Sequence, residues 1–519
     1  MSKQFYITTA IDYINGRPHL GHAYEKIITD VIARAKESEG ESVFYLTGTD
    51  EHGQKVNQAA QDDGKSTSEF CDLLAEEWRE FSKILKLCNN DFIRTTEPRH
   101  TRTVQAVLNR LKEANELYKD SYHGFYSTKE ETFLTDRDRG PDGEFDPMYG
   151  EVVELIEENY YFRLADQQDW LIEHIESNPD FITPSYRKNE VLGFLKNNKL
   201  EDLCITRPAE RLNWGIPLPF DKDYVTYVWF DALINYITVP AAHGDATVLD
   251  ALQIDPLESE RGKTSLWPAD VQVIGKDIIK FHAVFWPIML KKLGLPLPKK
   301  ILVHGWWQKD GQKMSKTTGN VVDPIQVIKD SGLDAFRYYV TRELDIGPDG
   351  NWTDAGFDAR YQAELANGLG NLVNRSLSML NRYRKGIVPP RSEDLKEDAE
   401  NCIKAVRNAL TEYRLQEGLK HIWKLIDRTN QYVDQTAPFT LAKDPDKAER
   451  LGETLFNLVE ICRILGAMVE PFIPETSSKI YRQLNREKST SGTKNLAWSD
   501  WPEAHQISKQ EPLFPRKDK

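Results

Sequence analysis

Two short clusters carry groups suited to phosphate chemistry. His19-Leu20-Gly21-His22 lies near the start of the chain, between an apolar run and a helical pattern. A helix N-terminus presents unpaired N–H groups and a positive dipole end, which favours phosphate there. Gly21 leaves room for a ligand beside the backbone, and imidazoles at 19 and 22 on one helix face would donate to phosphate oxygens that gain charge in a transition state. Lys313-Met314-Ser315-Lys316 comes much later, with Asp310-Gly311 before it and Gly319-Asn320 after it. Flanking glycines suggest a mobile loop, and its two ammonium groups would neutralise a leaving pyrophosphate. Taken singly, each cluster has ordinary readings: a metal-binding or hydrogen-bonded histidine pair, or a solvated lysine loop.

These groups need a frame. Residues 5–11 read as a buried strand, Asn15-Gly16-Arg17-Pro18 as a turn, His19–Lys36 as a helix, and 42–49 as a second strand ending at Asp50-Glu51-His52. That is a parallel βαβ unit, and helices near 66–88 and 98–115 continue it. Residues 120–220 are rich in acids, aromatics and turn formers, and read as an insertion of short strands with a helix or two. Strand-like runs resume at Tyr224–Phe230, Val271–Ile274 and Ile301–His304, with a helix through Ile278–Leu293. Beyond about Asp323 the chain is mainly helical. Three apolar stripes read as bundle core: Leu365 to Leu380, Leu415 to Ile426, and Leu451 to Met468. The expected limits are a first catalytic half at 1–118, the insertion at 119–222, a second catalytic half at 223–322, a linker at 323–364 and a helical domain at 365–519.

The 519 residues exceed what one core usually holds, so two or three domains are expected. No apolar run is long enough for a membrane span and no leader pattern opens the chain, which favours a cytoplasmic protein. The five cysteines are scattered without a Cys-x-x-Cys pair, which argues against a disulfide framework or a thiolate zinc site. A net charge of -14 argues against nucleic-acid binding over the whole surface. A local basic face stays open, since Arg375, Arg382, Arg384, Lys385 and Arg391 cluster in sequence.

Together the two tetrapeptides match the HIGH and KMSKS signatures of class I aminoacyl-tRNA synthetases, with Thr317 in the last position of the second. The resemblance extends over nearly the whole chain and is closest in kind to the methionyl-tRNA synthetase family. Ala10–Gly16, Gly48–Gly53, Tyr227–Leu233, Ile274–Ile278 and Thr436–Phe439 carry it. The family's fold would be a Rossmann-type parallel-sheet catalytic domain with an inserted connective subdomain, then an α-helical anticodon-binding bundle.

The resemblance implies site residues. ATP would be held by His19, Gly21, His22, Lys313, Met314, Ser315 and Lys316, with His19, His22, Lys313 and Lys316 as the catalytic groups. Ala10, Ile11, Tyr13, Trp229, Ala232, Tyr236, Ile278 and His282 would surround the methionine side chain, and Asp50 would hold its ammonium group. Methionine offers shape and a polarisable sulfur, so aromatic walls suit it, at ~0.3–1.5 kcal/mol per sulfur–ring contact. Asn374 stands where the family reads the anticodon, and Phe439 replaces a stacking tryptophan. Many members bind zinc through cysteine pairs in the insertion. Tyr126 to Glu154 has none, so no structural zinc is expected, and Phe125, Phe133, Phe145 and Tyr149 are the candidates to hold that subdomain by packing. The implied reaction uses ATP with Mg²⁺, L-methionine and tRNA(Met). With the chain ending at Lys519, a monomer is expected. Rival readings are another class I synthetase, a small nucleotidyltransferase and an inactive RNA-binding paralogue. A larger editing insertion, the long helical region and the intact His and Lys pairs respectively count against them.

Overall fold

The computed structural model describes residues 3–14, 16–127, 132–134, 138–140, 142–255, 262, 264–314, 320–487, 493, 495–508 and 512–515. Two compact units divide the chain: one of Met1–Pro18, Phe44–Lys83 and Asn89–Val303, the other of His19–Val43, Ile84–Cys88 and His304–Lys519.

The first unit is built on a seven-stranded sheet. Its strands include β1 (Phe5–Thr9), β2 (Asp12–Tyr13), β3 (Val43–Asp50) and β4 (Asp91–Arg94), and the order β2, β3, β1 is followed by Val271–Gly275, Ile301–His304 and Ile182–Thr183. β1 runs parallel to Val271–Gly275, and β3 runs parallel to both β2 and β4. All eight residues of β3 are buried, the mark of a parallel strand covered on both faces. Gly48 is required within it, because a Cβ there would lie 2.1 Å from the Ile93 carbonyl oxygen. Parallel neighbours end on the same edge. β3, β1 and Val271–Gly275 therefore deliver Asp50, Ala10-Ile11 and the turn Lys276–Ile278 to one carboxyl edge, where open α/β sheets take ligands.

The segment read as an insertion differs from expectation in two respects. Its strands are long, with Leu117–Ser127 antiparallel to Val152–Phe162 over eleven residue pairs. Ile182–Thr183 leaves that hairpin and joins the edge of the main sheet against Ile301-Leu302. Within the hairpin region, Phe125 and Phe145 meet at 5.1 Å with Arg139 over both rings, and the Tyr149 carbonyl accepts from Ser127 Oγ at 2.5 Å. The Phe133 side chain lies outside what is described. The strand read at Tyr224–Phe230 is a correction: Asp221–Thr226 is strand, but Val228–Leu233 is helix. A short aromatic and apolar run fits a buried helix as well as a buried strand.

In the second unit, helix α1 (Leu20–Ser38) is anchored by Asp30. The Asp30 carboxylate meets Arg337 Nη2 at 2.6 Å and Arg34 Nε at 2.7 Å, with both Asp30 and Arg337 fully buried. Burial alone would raise the Asp30 carboxyl, but the two guanidiniums and the Cys88 N–H hold it below its ordinary value. The three apolar stripes lie inside the helices Tyr361–Arg384, Leu415–Thr436 and Ala448–Met468, and their leucines are buried. The first ten residues of that first segment, Tyr361–Gly370, are π-helical. Among the described residues, no helix is long and apolar enough to cross a membrane.

Candidate active site

The residues expected around methionine belong to the first unit. Asp50 is 2% exposed at the tip of β3, in register with Tyr13 of β2, and its carbonyl accepts the Ile14 N–H at 3.1 Å. Ala10 follows β1 and donates its N–H to the Val273 carbonyl at 3.1 Å. The neighbouring Glu51 is fully buried. Its carboxylate takes Arg94 Nε at 2.7 Å and Nη2 at 2.9 Å, with the hydroxyls of Thr49 and Thr96 at 2.7 and 2.6 Å. Such a paired, hydrogen-bonded charge fixes the strand tip on which Asp50 sits.

Aromatic walls come from the helices that follow Thr226. Trp229 stacks on Phe281 at 4.2 Å and 13°. Tyr236 Oη and His282 Nε2 are 2.7 Å apart, and His282 Nδ1 lies 3.0 Å from the Ile278 carbonyl. A carbonyl only accepts, so Nδ1 carries the proton in the neutral ring, Nε2 accepts, and Tyr236 donates. That chain orders Tyr236, His282 and Ile278 as one wall. Ala232 lies between Trp229 and Tyr236 in this helical run and is buried. Phe281 and His282 lie on a π-helical turn, Phe281–Phe285, a form common at functional sites. Phe281 is missing from the sequence reading. Its adjacency to His282 was the available signal, but only the tertiary stack identifies it.

The residues expected to hold ATP belong to the second unit. His19 is the cap of α1 and not part of its face, because its backbone is extended. The Gly21 N–H donates to His19 Nδ1 at 3.1 Å, and the His19 N–H donates to His22 Nδ1 at 3.2 Å. This is a capping box built from two histidines. Both Nδ1 atoms accept, so both rings are neutral with the proton on Nε2. The rings are tilted by 34° with centroids 3.7 Å apart, and both stand at a helix N-terminus, a place that favours phosphate.

One turn along α1, Glu25 Oε2 is 2.9 Å from His304 Nε2, while His304 Nδ1 is 2.8 Å from the Gly305 carbonyl. These contacts tie α1 to the strand end that leads to the lysine segment. Trp307–Lys309 and Gln312–Lys313 form a hairpin, and its turn is Asp310-Gly311 with φ of 51° and 76°. The Asp310-Gly311 end of this segment is a tight two-residue turn, as Asp-Gly favours, and residues 315–319 of the expected mobile loop lie outside the described residues. Lys313 and Met314 follow the turn, but the Lys313 side chain and all of Ser315 and Lys316 lie outside the described residues.

Asn374 is half-buried on the helix Asn371–Arg384, and Phe439 is 51% exposed on the short helix Pro438–Leu441. Several members of the basic cluster have local partners: Arg375 with Asp434, Arg384 with the Ala448 carbonyl, and Arg391 with Glu393 and Asp500. Among the described residues, no group of three or more His, Cys, Asp or Glu could hold a metal ion.

A parallel sheet whose strand ends gather at one carboxyl edge, a histidine-capped helix and a lysine segment on a hairpin are the features of the class I aminoacyl-tRNA synthetases. Residues 5–154 and 148–377 match the family described as tRNA synthetases class I (M), and residues 384–518 match the anticodon binding domain of methionyl tRNA ligase. The methionine–tRNA ligase of Bacillus subtilis is 41% identical over 99% of this chain and 78% of its own length. That of Caldanaerobacter subterraneus subsp. tengcongensis is 40% identical over 100% of this chain and 80% of its own. Among solved structures, the Mycobacterium tuberculosis methionyl-tRNA synthetase in complex with methionyl-adenylate superposes with a TM-score of 0.90 at 35% identity, covering 99% of this chain and 100% of that one. The chain belongs to the methionyl-tRNA synthetase family.

Proposed function

We propose that this chain attaches L-methionine to tRNA(Met) through a methionyl-adenylate, for initiation and elongation of protein synthesis. The observation that carries this reading is the delivery of Ala10-Ile11, Asp50 and Ile278 to one carboxyl edge of the sheet. Asp50 receives the ammonium group of methionine. Tyr13, Trp229, Ala232, Tyr236, Ile278 and His282 enclose its side chain. A methionine carboxylate oxygen attacks the α-phosphorus of ATP in line. The bond to the pyrophosphate oxygen breaks as the new P–O bond forms, so no covalent enzyme intermediate is needed. Positioning and charge stabilisation supply the rate.

The Nε2–H pair of His19 and His22 donates to the phosphate oxygens that gain charge, beside Gly21. Lys313, Met314, Ser315 and Lys316 accompany the leaving pyrophosphate, and ATP arrives as its Mg²⁺ complex. The terminal ribose of the tRNA then attacks the adenylate carbonyl through its 2′-hydroxyl, and AMP departs. Asn374 reads the anticodon and Phe439 offers a stacking face; its exposure supports this role. We further propose that the chain acts as a cytoplasmic monomer without structural zinc, within the domain limits set out above. Charging of tRNA(Met) with labelled methionine tests the proposal: methionyl-tRNA should accumulate only with ATP present, and none forming would overturn it.

A further inference from the structure

We infer that His52 and Asp231 are positioning residues for methionine: their hydrogen bond sets the ammonium-binding tip of β3 against the helix that carries the aromatic wall. The inference rests on the pocket proposed above. His52 stands two residues beyond Asp50, and Asp231 two beyond Trp229 and next to Ala232. His52 Nδ1 lies 3.0 Å from Asp231 Oδ2, and the same oxygen accepts the Thr226 hydroxyl at 3.1 Å. Asp231 is fully buried and His52 is 6% exposed. A buried carboxylate aims its partners stringently, because a misplaced donor leaves it unpaired at high cost.

The rest of the strand tip is held from other directions. The Asp50 carbonyl takes Ile14 N–H, the Glu51 N–H donates to Thr95 Oγ1 at 2.9 Å, and the Glu51 carbonyl takes Trp214 Nε1–H at 2.6 Å. The bonds from Ile14 and Thr95 hold the tip beside its neighbouring strands, and the bond from Trp214 holds it from the segment ahead of Pro217–Leu218. The bond from His52 reaches across to the helix Val228–Leu233, so it controls the separation between the ammonium site and the side-chain wall. A methionine must satisfy both at once, so loosening that separation weakens methionine and leaves ATP alone.

The test uses amino-acid-dependent ATP–pyrophosphate exchange by the full chain, with both KM values read separately. H52A should raise the methionine KM by about tenfold or more, the worth of one hydrogen bond to a charged group, and move the ATP KM by less than about twofold. H52N places its amide nitrogen where Nδ1 stood and should recover the methionine KM to within about threefold of the parent. T226V removes the second donor to the same oxygen and should shift the methionine KM in the same direction by a smaller factor, about threefold. It is the variant to read if H52A fails to fold. A methionine KM unchanged in both H52A and T226V, equal shifts in the two KM values, or H52N no better than H52A would overturn the inference. A parent chain without methionine-dependent exchange would instead overturn the pocket reading on which it stands.

Discussion

At the scale of single residues, the sharpest consequence lies in the protons of His19 and His22. The hydrogen bonds to both Nδ1 atoms leave each ring proton on Nε2, the donor in the proposed contact with phosphate. The two amide substitutions therefore separate the functions of one ring. In H22N the amide occupies the Nδ1 position and can preserve the cap, but nothing reaches the phosphate. In H22Q the amide nitrogen reaches the Nε2 position. Loss of one such donor costs about 10²–10³ in kcat. H22N should show that loss in pyrophosphate exchange while H22Q retains clearly more; equal losses would contradict the role given to Nε2. The tetrapeptides themselves were legible in sequence. The cap geometry was not, because a His-x-x-His box forms only when the backbone at His19 is extended.

At the scale of elements, one buried histidine gives a pH signature. His100, on the helix Pro98–Glu113, is fully buried, with Nδ1 3.1 Å from Thr238 Oγ1 on the neighbouring helix Asn235–Ala242. Burial pushes its pKa down from 6.5 to about 4, more strongly than the nearby Asp231 charge pulls it up. Between those values the unfolded chain binds more protons than the folded one. The contribution of neutral His100 is therefore whole above about pH 6.5 and is lost progressively as pH falls to about 4, at roughly 3 kcal/mol in all. Urea midpoints should fall less steeply over that window in H100N than in the parent; identical slopes would contradict the account.

The connective hairpin yields a second prediction at this scale. Phe125, Phe145 and Arg139 pack where other family members were expected to place zinc. Metal analysis of the purified chain should find no stoichiometric zinc, and one zinc per chain would refute the metal-free reading.

The same scale shows what sequence could carry. The runs that became β1, β3 and Val271–Gly275, and the leucine stripes, were readable because burial on both faces or on one helical stripe writes itself as apolar period. The Tyr224–Phe230 run was misread because its aromatics suit either state. The edge strand Ile182–Thr183 was unreadable, since two residues carry no period and its partner lies more than a hundred positions away.

At the scale of the whole molecule, the two reactions should come apart. Phe439 stands on the helical region matched to the anticodon-binding family, far along the chain from the catalytic motifs. Base stacking on such a ring is worth about 1–3 kcal/mol. F439A should therefore raise the KM for tRNA about five- to a hundredfold in charging, and leave methionine-dependent pyrophosphate exchange unchanged. A parallel loss in both would place Phe439 in the fold and not at the anticodon. The charge of -14 fits this division, because a chain so acidic must confine its contacts with tRNA to chosen faces.

The most direct measurement of the central claim is ATP–pyrophosphate exchange by the purified chain across the panel of proteinogenic amino acids. The account predicts exchange with methionine far above that with leucine, isoleucine or valine, because the stacked Trp229 and the Tyr236–His282 pair are the aromatic wall proposed to take a thioether chain. Exchange driven by another amino acid in preference to methionine, or no exchange with any, would contradict it.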